Sequence, residues 1–295
     1  YRGQDPTLEK VVLRVQAIGP DDASNAIPNV VASGEPALPV LIRDFPGPLW
    51  FDRHRPHRRL PRGRDVSGIS RTLVAFGDAA VPYVATLLDH RAMDTRFYAT
   101  LLASEFAHPH LVAGLGRRIF DEDPNTAALA LDVLRVLSRF EREMEDVIQM
   151  VRATARVPRR SADHRARAAR ALGELRDTRS LDLLVDLLAA HEDILVQSAH
   201  IALVILTRQD FGQARGRWVE WMDANAGRHR IEWLIDALLH PDEALRTAAA
   251  DELKHVTQEY YGFHPRLPKH DREIMQKKYR RWWDTEGHRR FKMPS

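Results

Sequence analysis

The chain has no cysteine among its 295 residues, which excludes disulfides and thiolate metal sites. No apolar run approaches the roughly 18 residues that a helix needs to cross a bilayer. Cytoplasm is the default expectation. Aromatic residues are scarce at 7%, and the formal net charge is only +3, from 44 Lys and Arg against 41 Asp and Glu. So even a balance gives no global nucleic-acid footprint, although basic residues cluster locally.

The common catalytic signatures are missing as well. There is no Gly-x-Ser-x-Gly elbow, phosphate loop or dinucleotide fingerprint. Asp210-Phe211-Gly212 spells the kinase triplet, but the glycine-rich loop, lysine strand and His-Arg-Asp loop that give it meaning are absent. It reads as a turn in which Gly212 ends a structured segment. The 14 histidines include the close pairs His54/His57 and His108/His110, without His-Glu-x-x-His or a carboxylate that completes a ligand set. The expectation is a non-enzymatic chain with no catalytic residue, no cofactor and no metal.

Helical spacing dominates what is present. Leu8 to Ile18 reads as a helix stopped by Gly19-Pro20, and Ala37 to Phe45 as another. Residues 46–65 hold Pro46, Pro48, Pro56, Pro61, Gly47 and Gly63. They read as a long loop, and long loops in regular folds are often functional. From Val66 onward helix follows helix, in pairs, to a last one over Asp271–Trp283. No segment shows convincing strand alternation.

The chain also repeats itself. Ala26-Ile27-Pro28, Ala37-Leu38-Pro39 and Ala80-Val81-Pro82 each open an apolar run. Arg96-Phe97-Tyr98-Ala99, Arg165-Ala166-Arg167-Ala168 and Arg246-Thr247-Ala248-Ala249 share Arg-x-x-Ala. Small residues recur with them, at Ala99 and Ala103, Ala168, Ala169 and Ala171, and Ala199 and Ala202. Such residues let neighbouring helices approach closely, and repetition every few tens of residues means stacking.

On these motifs, and on Asp242-Glu243-Ala244-Leu245-Arg246, the chain resembles the HEAT-repeat family over roughly residues 20–257. The resemblance implies an all-α fold: a right-handed α-solenoid of about six antiparallel helix pairs in one domain spanning 1–295. It also implies structural ladders between repeats, with Arg96, Arg165, Asp242 and Arg246 in that role. A scaffold that binds a protein partner through its concave surface is the function such a fold suggests.

A second duplication follows. Leu206-Thr207-Arg208-Gln209-Asp210-Phe211-Gly212 parallels Val256-Thr257-Gln258-Glu259-Tyr260-Tyr261-Gly262. Trp218 and Trp221 follow the first copy, and Tyr279, Trp282 and Trp283 the second. Thr-x-Gln-Asp-Phe-Gly with Trp-x-x-Trp is similar to an insert in a subset of bacterial HEAT-repeat proteins. Residues 258–295 read as a helical cap over the last pair. HEAT-like DNA glycosylases need a positively charged concave face with a catalytic Asp flanked by aromatics, and Asp223 near Trp218 and Trp221 is at most a candidate for that role.

The densest charge lies in the loop. Arg53, Arg55, Arg58, Arg59, Arg62 and Arg64 accompany His54 and His57, just after Trp50 and Phe51. Guanidinium groups suit carboxylate and phosphate. Three readings stand: arginines packed against Asp44, Asp52 and Asp65, an acidic protein partner, or nucleic acid or another anionic ligand. The candidate binding residues are Trp50, Arg53, Arg55, Arg58, Arg59, Arg62 and Arg64. Further basic runs lie at Arg156–Arg170 and at Lys277–Lys292 and read as solvated surface and cap.

Overall fold

Close helix contacts in this chain are made where a side chain is small or missing, and glycine and alanine positions account for much of the packing. The computed structural model describes residues 6–17, 19–21 and 23–291. Lys292, the last of the C-terminal basic run, lies outside them. Among the described residues all regular structure is helical, apart from one antiparallel bridge between Leu49 and Ser67. The chain divides into two compact units, Tyr1–Met150 and Val151–Ser295.

The first unit contains α1 (Pro6–Gln16), α2 (Ala23–Ala32), α3 (Ala37–Asp44), α4 (Gly68–Ala75) and α5 (Val81–Leu88). It continues with α6 (Met93–Ala103), α7 (Val112–Arg118) and α8 (Pro124–Val136). Pro82 stands in the first turn of α5, where its missing N–H leaves no bond unmade. Pro28 instead lies inside α2. That helix starts three residues before the Ala-Ile-Pro motif, which is why the motif alone did not reveal it. Ser67 caps α4 by accepting a hydrogen bond from the Ser70 N–H at 3.1 Å. A Cβ on Gly68 would come within 2.2 Å of the Val15 carbonyl oxygen, so only glycine lets α1 and α4 pack there.

Helix α6 is the centre of this unit. Every residue from Thr95 to Ala103 is buried, as expected for a helix covered on all sides. It packs against α5 and α8. α9 (Glu141–Arg156) carries the chain onward, with Met144, Val147, Val151 and Ala155 as its buried stripe.

The second unit contains α10 (Ala162–Glu174), α11 (Leu181–Leu187), α12 (Asp193–Thr207) and α13 (Arg215–Ala224). α14 (Arg230–Ala237), α15 (Glu243–Thr257), α16 (Lys269–Trp282) and the short α17 (His288–Arg290) complete it. α10 and α12 make its most intimate contact. A Cβ on Gly173 would lie 2.7 Å from the Ala202 Cα, and Ala168, Ala169, Ala171, Ala199 and Ala202 are all fully buried. The small-residue stripes are thus a packing surface.

The C-terminal duplication of sequence is a duplication of structure. α12 and α15 end in left-handed residues, Arg208 at φ 55° and Gln258 at φ 59°. The preceding threonines act alike. The Thr207 hydroxyl donates to the Leu203 carbonyl at 2.8 Å and accepts from the Gln209 N–H at 3.1 Å. The Thr257 hydroxyl does the same with Leu253 and Glu259, at 2.6 and 3.1 Å. Trp218 is fully buried against Phe211, and its indole N–H donates to the Gly212 carbonyl at 2.9 Å. In the second copy Tyr279, Trp282 and Trp283 join Phe263 in the cluster that covers α14 and α15. A Cβ on Gly287 would lie 2.8–2.9 Å from the two indole rings, so the turn after α16 closes over them only with glycine.

Candidate partner-binding site

The loop of residues 46–65 is pinned at both ends and free in the middle. At its start the Trp50 N–H donates to the Val66 carbonyl at 2.8 Å. The Arg71 guanidinium lies over the Trp50 ring at 4.7 Å and pairs with Asp65 at 2.6 Å. The Arg53 N–H donates to the buried Tyr98 hydroxyl at 3.0 Å. At its end Gly63 abuts α6, where a Cβ would meet the Leu101 carbonyl oxygen at 2.6 Å. Arg64 grips Glu105 with its Nε at 2.7 Å and its backbone N–H at 3.2 Å.

Arg53 is the anchor. Its side chain is only 9% exposed, its guanidinium lies 4.3 Å over the Phe97 ring, and it pairs with Asp123 at 2.7 Å and Asp94 at 3.4 Å. Asp123 also caps α8 and accepts from the Thr126 hydroxyl at 2.7 Å. Burial works to raise the Asp123 carboxyl, but the bonds from Thr126 and Arg53 and the Arg53 charge hold it below the usual carboxylate range. The Asp123 N–H in turn donates to Asp121 at 3.0 Å, and Asp121 takes a two-pronged bond from Arg96 at 2.7 and 3.1 Å. His54 meets Asp94 at 3.1 Å, and Arg55 meets Asp52 at 3.5 Å.

Three arginines remain. Arg58, Arg59 and Arg62 are exposed and have no ion-pair partner among the described residues. Their sequence neighbours His57 and Leu60 line a hollow of about 270 Å³, together with Arg53, Phe97, Asn125, Ala128, Leu129 and Asp132. The segment is therefore divided: Arg53 and Arg64 hold it to α6 and α8, and its tip presents uncompensated positive charge next to a partly apolar concavity.

The residues expected in a ladder all have bonded partners. Arg96, besides Asp121, donates to the His90 and Arg91 carbonyls. Arg165 donates to the Ala155 carbonyl at 3.0 Å. Arg246 donates to three carbonyls, of His240, Pro241 and Pro265. Asp242 caps α15 through the Ala244 and Leu245 N–H groups. Since Trp218 is fully buried, Asp223 has no pair of open aromatic faces beside it.

Two features escaped the sequence reading. Arg152 pairs with Asp177 as Arg96 pairs with Asp121, and both acids follow their arginines by 25 residues. That spacing was the signal. Glu252 receives Arg176, Arg208 and Arg230 together, at 2.7, 2.7 and 2.6 Å. Burial alone would raise its carboxyl, but the Arg230 hydrogen bond and the three positive charges hold it down at about 2. Arg176 and Arg208 reach it from left-handed backbone, at φ 61° and 55°, and nothing in their local sequence announces that.

No family model matches the chain, and no curated protein matches it. Among solved structures it is similar to an engineered protein, at 14% identity over 86% of this chain and 98% of that one, with a TM-score of 0.34. It is also similar to the complex of CpcE and CpcF of phycocyanin lyase from Nostoc sp. PCC7120. There the identity is 14% over 78% of this chain and 98% of that one, with a TM-score of 0.35. The expectation of a non-enzymatic chain is corrected here, because this second structure is that of a lyase complex. Neither similarity says what this chain binds. No helix among the described residues is long and apolar enough to cross a membrane.

Proposed function

We propose that this protein is a HEAT-like α-solenoid of stacked antiparallel helix pairs that binds an acidic protein partner at the tip of its 46–65 loop. The observation that carries the reading is the uneven pairing of the loop arginines. Arg53 and Arg64 have carboxylates near α6 and α8, whereas Arg58, Arg59 and Arg62 have none among the described residues. A loop pinned at both ends loses less conformational freedom when a partner binds than an untethered one.

A nucleic-acid partner is the weaker reading, because bases stack on open aromatic faces. Arg71 covers Trp50, Arg53 covers Phe97, and Phe51 meets His57 edge-on at 5.0 Å. The test is a triple replacement of Arg58, Arg59 and Arg62 by serine, with fluorescent polyglutamate and a single-stranded oligonucleotide as probes. Salt-sensitive polyglutamate binding that the triple variant loses, with its helical circular dichroism intact, supports the reading. Preference for the oligonucleotide defeats it.

A further inference from the structure

We infer that the partner segment carries an aliphatic side chain, leucine or isoleucine, between its acidic residues, and that this side chain seats in the hollow beside the loop. The inference rests on the acidic-partner reading and adds a specificity to it. The hollow has an apolar floor of Leu60, Ala128 and Leu129, with Phe97 beneath the Arg53 guanidinium. Its volume of about 270 Å³ falls just below the ~300–1,000 Å³ range of small-molecule pockets, which suits a single side chain.

The rim is equipped for an extended peptide. Asn125 is exposed on α8, and its carboxamide makes no hydrogen bond within the described residues, leaving a donor and an acceptor for main-chain groups. One ring nitrogen of His57 is held by the Arg55 carbonyl at 2.9 Å, which orients the ring and leaves the other nitrogen open. Asp132, the one acid on the rim, already pairs with Arg135, so its charge opposes an acidic ligand less. Arg58 and Arg59 stand in sequence between His57 and Leu60, both of which line the hollow. An acidic residue next to a seated leucine therefore comes close to a free guanidinium. An aromatic anchor fits less well, since Arg53 already covers Phe97.

The experiment uses fluorescein-labelled nonapeptides of Asp and Glu with Leu, Ile, Phe or Ala at the centre, read by anisotropy on the whole chain at low salt. The Leu and Ile peptides are expected to bind at least about tenfold tighter than the Ala peptide, the order of burying one aliphatic side chain. Ala128→Trp, which fills the hollow, should bring the Leu peptide down to the Ala level. The Arg58, Arg59 and Arg62 triple replacement should abolish binding of all four. Equal affinities for Leu and Ala, still lost in the triple variant, overturn the anchor and leave the acidic-partner reading standing. If no peptide binds, the acidic-partner reading falls with it. Should Ala128→Trp not fold, the comparison of peptides on the unmodified chain decides by itself.

Discussion

Replacing Glu252 by glutamine leaves three guanidinium groups facing one another without their common counter-charge. Glu252 is 11% exposed, Arg208 11% and Arg230 13%, whereas Arg176 is open enough at 30% for water to screen it in part. Removing one partner from a buried ion cluster costs about 3–5 kcal/mol, and partial exposure argues for the lower end. The carboxyl gives an independent figure. Its fall from 4.5 to about 2, at about 1.4 kcal/mol per unit, corresponds to about 3 kcal/mol. A depressed carboxyl contributes its stability above its unfolded value and loses it as the pH falls toward its folded one. The penalty for Glu252→Gln should thus be full at pH 7 and shrink steadily between pH 4.5 and 2. Urea unfolding followed by tryptophan fluorescence is the assay, because five of the six tryptophans lie between Trp218 and Trp283. An unchanged midpoint at pH 7, or a loss as large at pH 2.5 as at pH 7, would refute the reasoning.

Gly173→Val should lower the melting temperature by forcing α10 and α12 apart, at a cost of about 1–3 kcal/mol; the obstacle is the Ala202 backbone. Gly77→Val should destabilise for a different reason, since nothing lies within 4 Å of that Cβ but the backbone φ is +60°, a strain of ~1–2 kcal/mol for a side-chain-bearing residue. Gly77→Asn should recover part of that loss in the same melt. Truncation after Thr257 should uncover the aliphatic side chains of α14 and α15, among them Leu234, Ile235 and Leu253, and cause aggregation, read by light scattering. A soluble truncated chain with an unchanged unfolding midpoint would remove the covering role of α16.

Where local residue type decides the structure, the sequence was readable. α9 runs over Glu141–Arg156 because its apolar positions, Met144, Val147, Val151 and Ala155, recur at helical spacing. The Thr-x-Gln and Thr-x-Glu turns repeat because a threonine closing a helix satisfies its own end. α2 was missed because Pro28 falls in its second turn rather than its first. The loop was recognised from its prolines and glycines, but its division was not. Whether an arginine is paired depends on Asp123 and Glu105, 70 and 41 residues away. The Glu252 cluster was invisible for the same reason, with Arg176 lying 76 residues from its acid.

The most direct measurement of the central claim is the affinity of the Leu-centred acidic peptide for the whole chain and for the Arg58, Arg59 and Arg62 triple serine variant, across a salt series. The account predicts binding that weakens as salt screens the charges and disappears in the variant while its helical content and melting temperature stay unchanged. Equal binding by both proteins, with the same salt dependence, would contradict it.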